Sequence, residues 1–104
     1  MEKLIQDNKV AVLYSPGFGA GWYTWNNVDC GEEIMFDPVL AQYVLQAKYD
    51  EALTYASMRW PDAYLGGIND LQVEWIPVGT EFRIHEYDGS ETIERKDKMD
   101  WVTA

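Results

Sequence analysis

Residues 9–14, Lys9-Val10-Ala11-Val12-Leu13-Tyr14, form a short run of apolar, β-favouring side chains that predicts a buried strand. Ser15-Pro16-Gly17 breaks it. Asp37-Pro38 then opens a helix, because Asp can cap free N–H groups and Pro suits the first helical position. Val39, Leu40, Tyr43, Val44 and Ala47 recur at three-and-four spacing and mark one apolar stripe. A second short helix, capped by Asp50, is predicted through Arg59 and carries Leu53, Ala56 and Met58. Trp60-Pro61 ends it, since a residue before proline disfavours the helical region.

After Gly66-Gly67 the period changes to two. Leu71, Val73 and Trp75 alternate with Gln72 and Glu74, as on a half-buried strand. Pro77-Val78-Gly79 turns the chain, and Phe82 and Ile84 alternate with Arg83 and His85. Asp88-Gly89 is a hairpin signal that leads into a further strand from Glu91 to Arg95. The expected architecture is one α+β domain over residues 1–104. It has a first strand, a long aromatic loop, two short helices and a small three-strand antiparallel β-meander. The pattern leaves open where the first strand joins the sheet.

A chain of 104 residues with 47% apolar side chains is long enough for one core and too short for two. Its one cysteine, Cys30, has no partner for an internal disulfide. The start, from Met1 to Lys9, is too polar for a signal peptide, and no apolar run approaches the ~20 residues of a membrane span. A soluble, cytoplasmic protein that does not engage membrane is expected. Eight basic against eighteen acidic side chains give a net charge of −10. That field opposes direct binding to nucleic acid, which needs clustered Lys and Arg. It suits a protein that imitates nucleic acid in a basic groove of a partner, and it equally suits plain solubility.

The segment 14–26 has the most unusual composition. Positions 14 to 25 hold five of the fifteen aromatic residues, and Gly17, Gly19 and Gly21 stand at every second position. Such glycines allow positive φ and leave N–H groups uncovered for a phosphate or sugar. Neighbouring rings offer faces on which a base stacks, worth about 1–3 kcal/mol per base. The spacing is not the G-x-G-x-x-G of a dinucleotide site, no convincing helix is expected to follow, and the Lys-Ser/Thr of a P-loop is missing. The competing reading is an irregular turn whose aromatic rings cap the core. Arg83, His85 and Tyr87 share one strand face, where Arg83 could meet a phosphate, and Arg59 is a second anion contact; a plain solvated face is the alternative for both.

One histidine and one cysteine are too few for a multi-His or thiolate zinc site. Ser15, His85 and an aspartate make a triad only on paper, without a nucleophile elbow. No catalytic residues, metal or cofactor are therefore assigned, although an oxygen-ligated magnesium site is left open. A small hydrolase or nucleotide-processing enzyme is the minor reading.

Three stretches carry a resemblance. They are Val12-Leu13-Tyr14-Ser15-Pro16-Gly17-Phe18-Gly19-Ala20-Gly21-Trp22-Tyr23-Thr24-Trp25-Asn26, Val73-Glu74-Trp75-Ile76-Pro77-Val78-Gly79-Thr80-Glu81-Phe82-Arg83-Ile84, and Glu86-Tyr87-Asp88-Gly89. Together they resemble small proteins of bacteriophages and their hosts, and through them the phage sponge proteins that sequester cyclic-nucleotide signals of bacterial immunity such as CBASS. The resemblance implies a symmetric homo-oligomer, a tetramer, that holds a cyclic dinucleotide or related signal in the host-cell cytoplasm without cleaving it. It does not supply the contacts, which come from side-chain chemistry. The backbone N–H groups of Gly17, Gly19 and Gly21 would face phosphate or ribose, and Ser15 belongs to the same ligand-binding set. Phe18, Trp22 or Trp25 would stack, Asn26 would read a base edge, and Arg59, Arg83 and His85 would complete the ligand-binding set. The alternative function is an acidic, nucleic-acid-mimicking inhibitor of a host protein such as a CRISPR nuclease complex.

Overall fold

The apolar run at 9–14 lacks polar alternation because both of its faces are covered. The computed structural model describes residues 1–18 and 21–96. The chain runs β1 (Ile5–Gln6), β2 (Lys9–Tyr14), α1 (Tyr23–Cys30), α2 (Glu33–Phe36), α3 (Pro38–Leu45), α4 (Tyr49–Arg59), a 3₁₀ turn (Ile68–Asp70), β3 (Gln72–Pro77), β4 (Phe82–Tyr87) and β5 (Ser90–Arg95). On one face of β2, Ala11 and Leu13 meet Trp22, Ile34, Leu40, Val44, Trp60 and Leu71. On the other, Val10 and Val12 meet Met35, Phe36 and Ile76, closed over by Phe82, Ile84 and Ile93. Period-two geometry distributes the strand between two cores.

The fold is α+β, as expected, with antiparallel strand pairs throughout. β1 and β2 are joined through Asp7-Asn8, whose φ values of 51° and 61° provide the positive-φ pair of a tight hairpin turn. β2 pairs with β3 from Lys9↔Pro77 to Tyr14↔Gln72, which places the first predicted strand at the centre of the order β1-β2-β3. The Asp88-Gly89 turn forms as predicted, at φ 49° and 83°, between β4 and β5.

The predicted meander is corrected at one joint. β3 hydrogen-bonds to β2, whereas β4 and β5 make a separate two-stranded sheet. Thr80 N–H donates to the Pro77 carbonyl, and Gly79 takes φ 88°, so the chain leaves the first sheet and lays its hairpin across it. Burying Phe82, Ile84 and Ile93 over Val12 and Ile76 rewards that crossing. Alternation fixes which face of a strand is buried, not which strand lies beside it.

Among the described residues there are four α-helices where two were predicted. α3 begins as read, with the Asp37 carboxylate accepting from Leu40 N–H at 2.9 Å and Pro38 at the first position. α4 starts at Tyr49, so Asp50 lies in its first turn and does not cap it. Ala47, placed in the stripe of α3, lies beyond that helix's end. It adopts φ 56°, while Ala47 N–H donates to the Val44 carbonyl and Lys48 N–H to the Tyr43 carbonyl, the paired bonds of a left-handed helix terminus. Glycine is the residue that fits this position without a Cβ penalty. Ala47 is exposed, so nothing is lost on truncation. Ala47→Gly is expected to stabilise the chain by about 0.5–1 kcal/mol after the entropy of the unfolded glycine is counted. Urea unfolding should show a higher midpoint at unchanged slope.

Candidate functional site

The segment 14–26 is closed by a carboxylate far away in the sequence. Glu91, second residue of β5, is 0% exposed. One of its oxygens accepts from Ser15 N–H at 2.9 Å. The other accepts from Trp22 N–H at 3.0 Å, Thr24 N–H at 2.9 Å and the Thr24 hydroxyl at 2.7 Å. Glu91 N–H donates to the Ser15 carbonyl, and the Ser90 hydroxyl to the Pro16 carbonyl at 2.7 Å. A buried carboxylate is tolerated only when donors surround it. Here those donors include the free N–H groups at the start of α1, where the helix dipole also favours negative charge. Trp22, at the cap position of α1, makes no side-chain cap bond. Glu91 supplies the cap from 69 residues away.

This arrangement uses several predicted ligand residues internally. Trp22 is fully buried in the larger core and its indole N–H donates to the Ile34 carbonyl at 2.7 Å. The Asn26 amide donates to the Trp22 carbonyl at 2.8 Å and the Tyr64 carbonyl at 2.9 Å, and accepts from Tyr64 N–H at 2.8 Å, so it holds α1 against the stretch after α4. Ser15 is buried. Gly17 and Gly21 have no positive φ; a Cβ on the first would strike the Asp70 carboxyl and on the second the Trp25 ring. They serve close packing, a correction to the positive-φ expectation. Gly19 lies outside the described residues. The helix that was not expected after this segment, α1, is present because its cap is tertiary.

Two of the predicted aromatic residues remain on the surface. Phe18 is 77% and Trp25 41% exposed. The Trp25 ring lies 5.1 Å from that of Tyr64, and its indole N–H donates to the Glu86 carboxylate at 3.3 Å. The cations are elsewhere and engaged. Arg59 pairs with Glu33 and its guanidinium lies 5.4 Å over the Trp60 ring. Arg83 makes a two-pronged contact with Glu94 at 3.0 and 3.3 Å, and His85 also reaches Glu94. Bonding to Arg83 first, then to His85, holds the Glu94 carboxyl below its usual range, and the same bond raises Arg83. Among the described residues, none of Arg59, Arg83 and His85 is hydrogen-bonded or ion-paired to segment 14–26.

A cleft of about 430 Å³ lies between the N-terminal residues and the helices, lined by Glu2, Glu33, Asp37, Val39, Tyr55 and Arg59. A second of about 380 Å³, lined by Asp29, Cys30, Arg59, Trp60 and Asp62, shares Arg59. Burial, then the neighbouring Asp29, raises the Cys30 thiol, which leaves it a poor nucleophile. Among the described residues no three His, Cys, Asp or Glu side chains are grouped to hold a metal ion, and no helix is long and apolar enough to cross a membrane.

Glu91, Thr24 and Tyr64 were missed by sequence reasoning. Thr24 and Tyr64 left no local signal. Glu91 had one: it shares the strand parity of Ile93, an inward position, so an acid there has to find donors. Comparison with protein-family models, curated proteins and solved structures finds no match to this chain.

Glu91→Gln puts an amide donor among donors and leaves at least one buried N–H unpaired. The expected cost is about 3 kcal/mol, with faster hydrogen exchange at Trp22 and Thr24; unchanged exchange there would refute the capping role. A second expectation concerns alkaline pH. Burial, then the bond to Asp37, raises the Tyr55 phenol well above its ordinary range. The folded chain holds that proton more tightly than the unfolded one. Tyr55 therefore contributes stability below the ordinary tyrosine pKa of about 10 that is lost as pH climbs past it. Tyr55→Phe should flatten the alkaline limb of a stability–pH profile.

Proposed function

We propose that the chain is a non-enzymatic binding protein whose acidic surface docks in a basic, nucleic-acid-binding groove of another protein. One observation carries this reading. The two arginines suited to a phosphate, Arg59 and Arg83, are each neutralised by a carboxylate, while Asp29, Glu32, Asp50, Glu51, Asp62, Asp70 and Asp88 are exposed and carry no ion pair among the described residues. A net charge of −10, with Arg59 and Arg83 committed to carboxylates, attracts a basic partner and slows the approach of an anion.

Sequestration of a cyclic-nucleotide signal by a homo-oligomer is the second reading, and the exposed rings of Phe18 and Trp25 support it as stacking faces. Both readings concern a cytoplasmic protein.

The two separate in one pair of measurements. A protein partner captured on the immobilised chain should be released by duplex DNA and by raising salt from 50 to 200 mM, roughly the range over which phosphate-mimicking contacts weaken steeply. Thermal unfolding with cyclic dinucleotides, cyclic trinucleotides and cyclic ADP-ribose isomers should show no shift. A stabilisation of about 2.7 kcal/mol at 100 times the dissociation constant, with intact ligand recovered after denaturation, would establish the sponge instead. Altered ligand would establish an enzyme.

A further inference from the structure

The end of the molecule that carries the β4–β5 turn combines exposed aromatic rings with unpaired acids. Trp25 and Tyr64 pair there with tilted rings, and both are substantially exposed, at 41% and 48%. Glu86 touches the edge of that pair through the Trp25 indole N–H, and its second oxygen accepts from Gly89 N–H at 3.2 Å. Asp88 is exposed in the turn itself. Phe18, 77% exposed, follows Pro16 and Gly17, which are tied to this end by the Ser90–Pro16 bond and by the packing of Gly17 on Asp70. The hairpin's own cations are at its other end: Arg83 lies opposite Glu94 and Arg95 opposite Phe82, whereas the turn follows the Tyr87↔Ser90 pair.

We infer that this end is the docking surface, and that the Trp25–Tyr64 pair with Glu86 receives an arginine side chain from the basic partner. The inference rests on the acidic-docking reading above and names its contact. Charge complementarity selects the occupant. Glu86 adds negative charge at the edge of rings whose faces attract a cation. Asp88 in the β4–β5 turn and Asp70 beside Gly17 add to it at this end of the molecule, and no described Lys or Arg is paired with them. Arginine fits better than lysine for two reasons. Its planar guanidinium stacks on an indole or phenol ring, and its fork of N–H donors engages a carboxylate at the ring's edge. Lysine carries the same charge but is a compact, strongly hydrated point charge without the planar face or the fork. Trp and Tyr also contribute large contact area at small entropic cost, which suits an anchor at the centre of an interface.

The test uses nona-arginine and nona-lysine peptides as probes of equal charge, titrated into the full chain at low salt. Binding of nona-arginine should be about five-fold tighter, the discrimination expected of one cation–π contact. The indole N–H resonance of Trp25 should shift with nona-arginine. Trp25→Ala should abolish the preference while leaving the general attraction to both peptides. Because Trp25 is partly packed, Glu86→Gln provides a second variant: it keeps an acceptor for the indole and removes the charge, and it too should narrow the preference. Equal affinity for the two peptides, or a Trp25 resonance unmoved by saturating nona-arginine, would overturn this inference and leave the acidic-docking reading standing. Failure of both peptides to bind at low salt would overturn both.

Discussion

A carboxylate gives up its hydration when it enters a protein interior, and it stays there only where donors replace the lost water. Glu91 is placed in that position by strand parity, and its four donors come from the backbone and side chains of residues 15, 22 and 24. Burying this acid and closing the glycine-and-aromatic segment are consequently one event. The same bonds cap α1, orient Trp22 into the larger core and bring Asn26 within reach of Tyr64. They also tie the hairpin to the end of β2, since Glu91 and Ser90 bond to Ser15 and Pro16. Loss of that carboxylate would remove a helix cap and one of the links between the two sheets' neighbouring ends, leaving the Glu91 N–H bond to Ser15 and the Ser90 bond to Pro16 in place.

Apart from Asp37, which is buried as the cap of α3, the remaining described acids behave differently because they keep contact with water. Several of them neutralise cations: Glu33 with Arg59, Glu94 with Arg83, Glu74 with Arg95, Glu81 with Lys96. Exposed pairs of this kind contribute little to stability. Their effect is on the field, because they leave the surplus of acids as the charge that a partner meets. Screening confines that field to about 8 Å at physiological salt, so it guides approach and favours a basic face, and contact chemistry decides what is held. Trp22 and Trp25 are three residues apart and divide the labour. One indole fills the interior, and the other stands at the surface beside Tyr64 and Glu86.

Local sequence rules found the elements whose stabilising partners are near in the chain. Asp37-Pro38 opened α3 because the capping carboxylate and the N–H it receives are three residues apart. Asp88-Gly89 formed its turn because positive φ is a property of those two residues. Trp60-Pro61 closed α4 for a similar reason. α1 escaped notice because its cap is remote, and its sequence, with Thr, Asn and Asp among few strong helix formers, has weak propensity of its own. The candidate site followed the same division. Glycines and rings marked the segment as special, but a ring's type says nothing about which side of the backbone it leaves from. Trp22 and Trp25 therefore looked alike until the direction of α1 was known.

The amino-acid sequence by itself determined the α+β class, the main strand runs, the existence of α3 and α4, the Asp88-Gly89 turn and the acidic surplus, since each depends on spacing or composition alone. It did not pick the buried face of α4, where Ala52 and Ala56 are covered and Leu53 and Met58 are exposed. Only the tertiary structure decided that β3 pairs with β2, that the β4–β5 hairpin crosses onto the opposite face, and that Glu91 organises segment 14–26. Those outcomes depend on which surfaces meet across long separations. Donors and acceptors 67 to 76 residues apart become neighbours only after both cores have formed, and no local pattern encodes a bond whose two halves are chosen by packing.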